Sequence, residues 1–186
     1  MRRAILLLAC GCVAACAGLG SGEADRYFVL EPATAARSTP ASASVEVAAT
    51  TAAAFYDTQS IAFSRAAGTR AYYQFNRWTE RPQRVIQGEL EARYVPGHDR
   101  YILATHLVEM VHDAASVPGA ARITVTAELI ERAHRTAVAR RTFTRVAPAV
   151  SPDAAGAVAG FNVAAGSVLD DIVEWADREA AARSAR

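Results

Sequence analysis

Apolar and polar residues alternate with a period of two along several stretches of this chain, which predicts half-buried β-strands. In the clearest stretch, 123–129, Ile, Val, Ala and Leu would face a core while Thr, Thr and Glu face solvent. Similar patterns predict strands at 27–30, 44–49, 61–65, 71–78, 101–111 and 137–146. The stretch 101–111 is apolar on both sides, as in the centre of a sheet, whereas 137–146 carries arginines and suits an edge.

Helical spacing of apolar residues appears in two further stretches. The first begins at Pro82, since proline suits the first turn of a helix, and it is expected to end at 96–97. Thr79 or Arg81 would be its cap, and Thr79 has the better side chain for that role. The last helix is expected to start with Ser151 as its cap and Pro152 in its first position. Its predicted core-facing residues are Val158, Phe161, Ala165, Val168, Leu169, Ile172 and Ala176.

The order of these elements, strands, a helix, strands and a helix, predicts the α+β class because it lacks the alternation of a parallel α/β fold. We expect two helices packed on one face of a mostly antiparallel sheet. The strands 61–65 and 71–78 should form a hairpin around the turn at 67–69. A single domain would occupy 27–182 and be followed by a polar tail at 183–186.

The N-terminus has the composition of a secretory signal peptide, in which Arg2 and Arg3 precede a short apolar run and small residues. Residues 13–16 read Val-Ala-Ala-Cys, which resembles the bacterial lipobox, whose cysteine is acylated, with palmitate among the chains. The sequence therefore predicts a signal peptide at 1–15, lipidation at Cys16 and a tether at 16–26. Two or more acyl chains on one cysteine give stable membrane anchoring.

Two alternatives to Cys16 lipidation stay open. Cys10 follows Leu-Leu-Ala, but its apolar core would be shorter than the usual one of about 7–15 residues. An ordinary cleaved signal is the other alternative. If Cys16 is acylated, Cys10 and Cys12 leave with the signal, and no thiol remains for catalysis or a disulfide. Ala17 replaces the Asp that retains enterobacterial lipoproteins at the inner membrane, which favours the periplasmic face of the outer membrane.

Composition excludes some classes of partner. The chain is 52% hydrophobic and 21% charged, with a net charge of +1. Without Arg2 and Arg3, 18 basic residues remain against 19 acidic ones, a net charge of −1. A near-neutral surface argues against nucleic acid and against strong attraction to anionic lipid. We expect no second apolar run long enough to cross a bilayer, which takes about 20 residues.

Chemistry-bearing residues are sparse and do not form a recognisable catalytic pattern. The four histidines, His98, His106, His112 and His134, lack metal-ligand spacing, and His106 and His112 would share a strand face too far apart to bind one metal. Adjacent Asp170 and Asp171 would point in different directions from a solvated helix face. No nucleophile elbow, phosphate-binding loop or dinucleotide fingerprint is present. We expect a non-enzyme without metal or cofactor.

Aromatic residues cluster on the strand at 71–78. Tyr72, Tyr73 and Trp78 lie there, and tyrosine and tryptophan are favoured anchors of protein interfaces. Core packing is the alternative interpretation, with Trp78 lying at the start of the helix. The three residues are the candidate partner-binding residues of the sequence.

The run from Phe55 to Arg65, the pair Tyr72-Tyr73 and the segment 77–82 occur in an order that resembles the ABC-type transport auxiliary lipoprotein family, the PqiC-like lipoproteins. That family shows a Tyr-Asp turn, an Ile-x-Tyr strand, a tyrosine-bearing strand and a Trp-Ala-Asp/Glu-x-Pro helix start. Phe63 stands where Tyr is common, and Thr79 stands in the place of the usual Ala.

The resemblance implies a non-catalytic component of an envelope lipid-transport system. An MCE-domain protein of an inner-membrane ABC transporter would be its partner, the outer membrane its location, and self-association into a homo-oligomer is part of the expectation. A pilot or assembly factor for another outer-membrane complex is the alternative function.

Overall fold

A computed structural model describes residues 24–33, 45–94 and 100–184. The predicted signal peptide, the lipidation site Cys16, most of the tether, His98 and the last two residues of the tail lie outside this part of the chain. Its elements are β1 (Arg26–Phe28), β2 (Val45–Val47), β3 (Thr51–Ala52), a 3₁₀ turn (Ala54–Tyr56), β4 (Ser60–Ser64), β5 (Ala71–Trp78), α1 (Pro82–Glu91), β6 (Tyr101–Asp113), β7 (Ala120–Glu131), β8 (Thr136–Pro148) and α2 (Ala154–Ser184). The α+β class is confirmed.

The strands form one mixed sheet in the order β1-β5-β4-β6-β7-β8, and β2 and β3 also pair with β6. The long ladders β6–β7 and β7–β8 and the hairpin β4–β5 are antiparallel, as expected. The pairings of β1 with β5, and of β2, β3 and β4 with β6, are parallel. These parallel pairings were not predicted, since each is short and joins segments distant in sequence.

A bulge in β6 changes the predicted placement of two histidines. The register of β6 on β7 shifts between Leu107 and Glu109, so one extra residue enters β6 there. Before the bulge, His106 lies opposite Thr126 on the outer face of the sheet; after it, His112 lies opposite Ala121 on the core face. The prediction that both share one face is therefore wrong, because a single inserted residue reverses the alternation of a strand.

Helix α2 covers one face of the sheet, where it packs mainly against β7 and β8, and α1 lies beside it on the same side. All seven predicted core-facing residues of α2 are buried. Within the described residues, α2 is the one helix that is long and apolar enough to cross a membrane. The expectation that no second apolar run would be long enough to cross a bilayer is therefore wrong. However, 67% of its most apolar window is buried inside the domain, as in a core helix.

The first turn of α2 is capped by Asp153 rather than by Ser151. The Asp153 carboxylate accepts a hydrogen bond from the backbone N–H of Gly156 at 2.8 Å, and the Ser151 hydroxyl donates to the same carboxylate at 2.8 Å. The Gly156 bond, followed by that of Ser151, lowers the pKa of Asp153. Ser151 therefore supports the cap from outside the helix.

Helix α1 begins at Pro82 as predicted, but its cap position is Arg81, and no side chain caps it. It ends at Glu91, earlier than the predicted stop. The inner side of this helix is packed in the core through Ile86 and Leu90, which are 1% and 0% exposed.

The segment after β1 crosses the middle of α2. The backbone N–H of Glu31 donates to the Asn162 side chain at 3.0 Å, and that of Ala33 donates to the Asn162 carbonyl at 2.8 Å. A Cβ at Gly166 would lie 1.9 Å from the Ala33 carbonyl oxygen, so this crossing requires glycine there. Leu30, only 4% exposed, fixes the segment to the core.

Candidate partner-binding surface

Strand β5 places the three sequence-predicted residues in three different environments. Trp78 is 2% exposed and packs edge-on against Phe161 of α2, with ring centroids 5.7 Å apart. The indole therefore belongs to the core at the start of α1, and its side chain offers no surface to a partner.

Tyr73 is half-buried and bonded to a histidine. Pro118 contributes a carbonyl oxygen that can only accept, so His112 donates to it through Nε2 at 3.1 Å. The Tyr73 hydroxyl lies 2.7 Å from the Nδ1 atom of the same ring and donates its hydrogen bond there. Burial raises the pKa of Tyr73, as does the negative charge of Asp153, so this hydroxyl stays protonated and donates. Tyr73 joins β5 to the end of β6 and is structural.

Tyr72 is the member of the three with an accessible side chain, at 40% exposure. Its ring stacks on Phe55 with centroids 4.4 Å apart and planes 15° from parallel. Its hydroxyl donates to the Phe55 carbonyl at 2.6 Å, and Phe55 in turn meets Tyr56 edge-on at 5.2 Å. Burial is the main cause that raises the pKa of Tyr72, so its hydroxyl remains a donor.

An ion pair borders these rings. Arg70 donates through Nε to the Tyr56 hydroxyl at 3.1 Å and pairs through Nη2 with Glu109, while its Nη1 donates to the Thr69 carbonyl at 2.7 Å. The hydrogen bond with Tyr56, and then that with Glu109, raises the pKa of Arg70 above its usual value. We call the group Phe55, Tyr56, Arg70, Tyr72 and Glu109 the aromatic surface.

The backbone explains why these residues meet. The N–H of Ala53 donates to the Leu107 carbonyl at 2.9 Å, which fixes the 3₁₀ turn to β6 beside its bulge. The turn closes through the Tyr56 N–H and the Ala53 carbonyl at 2.7 Å. Val108, at the bulge, is 37% exposed. The pair Phe55 and Tyr56 is visible in the sequence as aromatics beside a turn, but no local signal marks Arg70 or Glu109, which a non-local register brings together.

Two open cavities lie in the described part of the chain, and Arg70 of the aromatic surface lines the smaller one. One, of about 550 Å³, lies between α1 and the segment 49–50; its lining includes Thr50, Asp57, Arg81, Gln87 and Gly88. Its polar groups bond to one another: Arg81 pairs with Asp57 at 2.8 Å, and the Thr50 N–H donates to Gln87 at 3.2 Å. The other, of about 330 Å³, lies beside the β4–β5 turn.

Two acidic side chains of α2 form ion pairs with neighbouring elements. Asp170 lies 3.6 Å from Arg93, and Asp171 lies 2.5 Å from Arg145 of β8. The two carboxylates point to different partners and remain partly solvated, with 31% and 26% of their side-chain surface exposed. Within 24–33, 45–94 and 100–184, no group of three or more His, Cys, Asp or Glu side chains could hold a metal ion.

Comparison with known proteins shows the fold. A protein of the DUF330 family from Xanthomonas campestris is 22% identical, with a TM-score of 0.78 over 87% of this chain and 100% of its own. An uncharacterised protein matches 84% of this chain and 99% of its own, with 11% identity and a TM-score of 0.61. A "putative lipoprotein" from Caulobacter crescentus CB15 is 15% identical over 76% of this chain and 93% of its own, with a TM-score of 0.46. No family model and no curated protein matches the chain.

Proposed function

We propose that this protein is a lipid-anchored, non-catalytic auxiliary component of an MCE-type intermembrane lipid transport system. Three observations support the proposal: the lipobox-like ending at Cys16, the ordered resemblance to the ABC-type transport auxiliary lipoproteins, and the aromatic surface. The DUF330 protein shares the fold at 22% identity, which is compatible with the proposal and carries no function by itself.

The aromatic surface is the observation that carries the docking role. Tyr and Arg dominate the binding energy of protein interfaces because they offer large contact areas and directed hydrogen bonds. Here Tyr72 is held by stacking on Phe55, and Arg70 by two partners, so little side-chain freedom is lost when a partner binds. A rigid, exposed aromatic group of this kind fits a protein partner, which we propose to be the MCE-domain protein.

Acylation of Cys16 would hold this domain on a membrane, and Ala17 favours the outer membrane. With the anchor there, the domain projects into the periplasm. It can then meet the far end of a conduit whose ATPase lies in the inner membrane. Self-association into a homo-oligomer, as the resemblance implies, would repeat the aromatic surface around an axis.

A pull-down from solubilised membranes with the tagged full chain, read by mass spectrometry, tests this function. We expect the wild-type chain to recover an MCE-domain protein. The Tyr72→Ala variant should recover much less of it. The matched control is Tyr27→Ala, because Tyr27 is 60% exposed on β1, outside the aromatic surface.

Equal recovery with both variants would show that the partner binds elsewhere. Recovery of a different outer-membrane assembly in place of an MCE-domain protein would contradict the transport role and favour the pilot or assembly-factor alternative.

A further inference from the structure

Three loops meet at one end of the sheet. The register places Ser64 beside Asp113, Asp113 beside Ala120, and Ala120 beside Pro148, so the β4–β5, β6–β7 and β8–α2 connections leave from the same level. Two hydrogen bonds join them, from the Ala114 N–H to the Ser64 carbonyl at 2.7 Å and from the Ala149 N–H to the Gly119 carbonyl at 3.0 Å. We call residues 66–68, 114–119 and 149–152 the loop end.

The loop end holds the apolar tips of these connections, and exposed charged residues of the same connections, Arg65, Arg70 and Asp153, flank it. Its residues are Ala, Gly, Val, Pro and Ser, and no Asp, Glu, Arg or His occurs among them. Val117 and Val150 lie there and are 84% and 76% exposed, the highest values among the large hydrophobic residues of the described chain. The turn at the opposite end of the sheet, between β7 and β8, carries Arg132, His134 and Arg135 instead.

The described chain enters β1 through Ala24 and Asp25. Strand β5 starts at the loop end with Ala71, and β1 runs parallel to it with Arg26 beside Asn76, so Ala24 and Asp25 lie on the side of Arg26 that faces the loop end. The positive charge of Arg26 acts on Asp153, at the start of α2, and contributes to the lowering of its pKa. Eight residue steps separate Cys16 from Ala24, which limits the reach of the tether to about 28 Å.

We propose that the loop end rests on the surface of the phospholipid leaflet that holds the acyl chains, with Val117 and Val150 in the interfacial layer. This inference rests on the proposed acylation of Cys16. A weak apolar contact suffices because the anchor makes it intramolecular and therefore raises its effective concentration. An uncharged contact does not require anionic lipid. The orientation directs the charged opposite end of the sheet away from the membrane.

The test uses the acylated full chain in vesicles, with an environment-sensitive NBD label at a single introduced cysteine. Acylation blocks Cys16, and Cys10 and Cys12 leave with the signal, so the introduced thiol is the one that reacts. The variants are Val117→Cys and Val150→Cys, and the control is Ala133→Cys, exposed in the β7–β8 turn. Vesicles of phosphatidylethanolamine with phosphatidylglycerol are compared with vesicles of phosphatidylcholine alone, each with and without doxyl-labelled lipid.

We expect a blue shift of NBD emission and quenching by doxyl lipid at 117 and 150, and neither effect at 133, in both kinds of vesicle. Absence of quenching at 117 and 150, or equal quenching at all three positions, would overturn the proposed orientation. Quenching confined to the anionic vesicles would overturn the uncharged contact.

Intact mass of the purified chain separates this failure from failure of the proposed anchor. An acylated chain without quenching refutes the orientation and leaves the anchor in place. A chain without acyl groups refutes the anchor, and the orientation falls with it. The double change Val117→Asp with Val150→Asp supplies a second check: quenching of a label at Ala115→Cys should be lost, whereas Val163→Asp, on the exposed side of α2, should leave it unchanged.

Discussion

The two faces of the sheet are stabilised by different physics. On the face covered by α2, Ile123, Val125, Ala127 and Leu129 of β7 are each 0% exposed. On the open face the intervening residues pair across strands through polar groups, Thr124 with Thr144 at 3.0 Å and Glu128 with Arg140 at 3.1 Å. One strand thus contributes to a close-packed core and to a hydrogen-bonded outer layer.

This difference indicates where the chain tolerates change. A covered face loses both transfer free energy and packing when a side chain shrinks, because its neighbours cannot fill the space. An open face exchanges its hydrogen bonds with water, so each bond contributes little net free energy. The aromatic surface lies next to the β6 bulge, where Tyr72 is 40% exposed while Tyr56 packs against the core.

The largest expected effect comes from Phe161→Ala in α2. Phe161 is 0% exposed and packs against Trp78, so we expect a loss of about 3–5 kcal/mol in the free energy of unfolding. Denaturant titration followed by tryptophan fluorescence measures it. Val163→Ala, two residues along the helix and 52% exposed, is the control and should change the free energy of unfolding by less than about 0.5 kcal/mol. Comparable losses in both variants would show that α2 does not pack as described.

A smaller effect is expected from the cap of the covering helix. Asp153→Ala removes the acceptor of the Gly156 N–H and should cost about 0.5–2 kcal/mol. The folded-state pKa of Asp153 is below its ordinary 3.8, so the carboxylate stabilises the fold above that pH and ceases to do so as pH falls through the folded-state pKa.

The matched control for the cap is Asp153→Asn, which retains a hydrogen-bond acceptor but does not titrate. Thermal unfolding from pH 7 to pH 2 should show the wild type losing stability relative to Asp153→Asn below about pH 4. Parallel curves for the two proteins would contradict the assigned role of the carboxylate.

The smallest effect is expected on the open face. Thr124→Val and Thr144→Val, alone and together, form a double-mutant cycle for a hydroxyl pair 3.0 Å apart. We expect a coupling free energy of about 0.2–1 kcal/mol, typical of a cross-strand pair. Chemical denaturation of the four proteins gives the value. A coupling as large as the loss from Phe161→Ala would remove the distinction between the two faces.

Local patterns predict the elements whose neighbours do not alter them. Strand β5 spans the predicted 71–78, and the apolar positions of α2 are buried as its helical spacing indicates. Ser151-Pro152-Asp153 marks the start of α2 to within a few residues, but the cap is Asp153 and the helix starts at Ala154, so Pro152 is not in its first position as predicted. Ser151 and Asp153, two residues apart, both suit a cap, and the sequence does not separate them. The aromatic surface is predictable in part. Tyr72 lies on the predicted aromatic-rich strand at 71–78, and Phe55 and Tyr56 are aromatic residues beside a predicted turn.

The remainder depends on contacts that no short stretch of sequence contains. The β6 bulge is set by pairing with β7, and it decides that His112 faces Tyr73 while His106 faces outward. Similarly, the burial of Trp78 depends on Phe161, more than eighty residues later in the chain. The local sequence around an aromatic residue on a strand therefore does not show whether its side chain lies in the core or on the surface.

The crossing of α2 by residues 30–33 has a consequence for the order of folding during synthesis. Glu31 and Ala33 bond to Asn162, and Leu30 needs the core that α2 completes. Residues 30–33 therefore cannot form these contacts until α2 has left the ribosome. Contacts of such long sequence separation form late. A nascent chain therefore cannot complete this part of the packing before α2 has been synthesised.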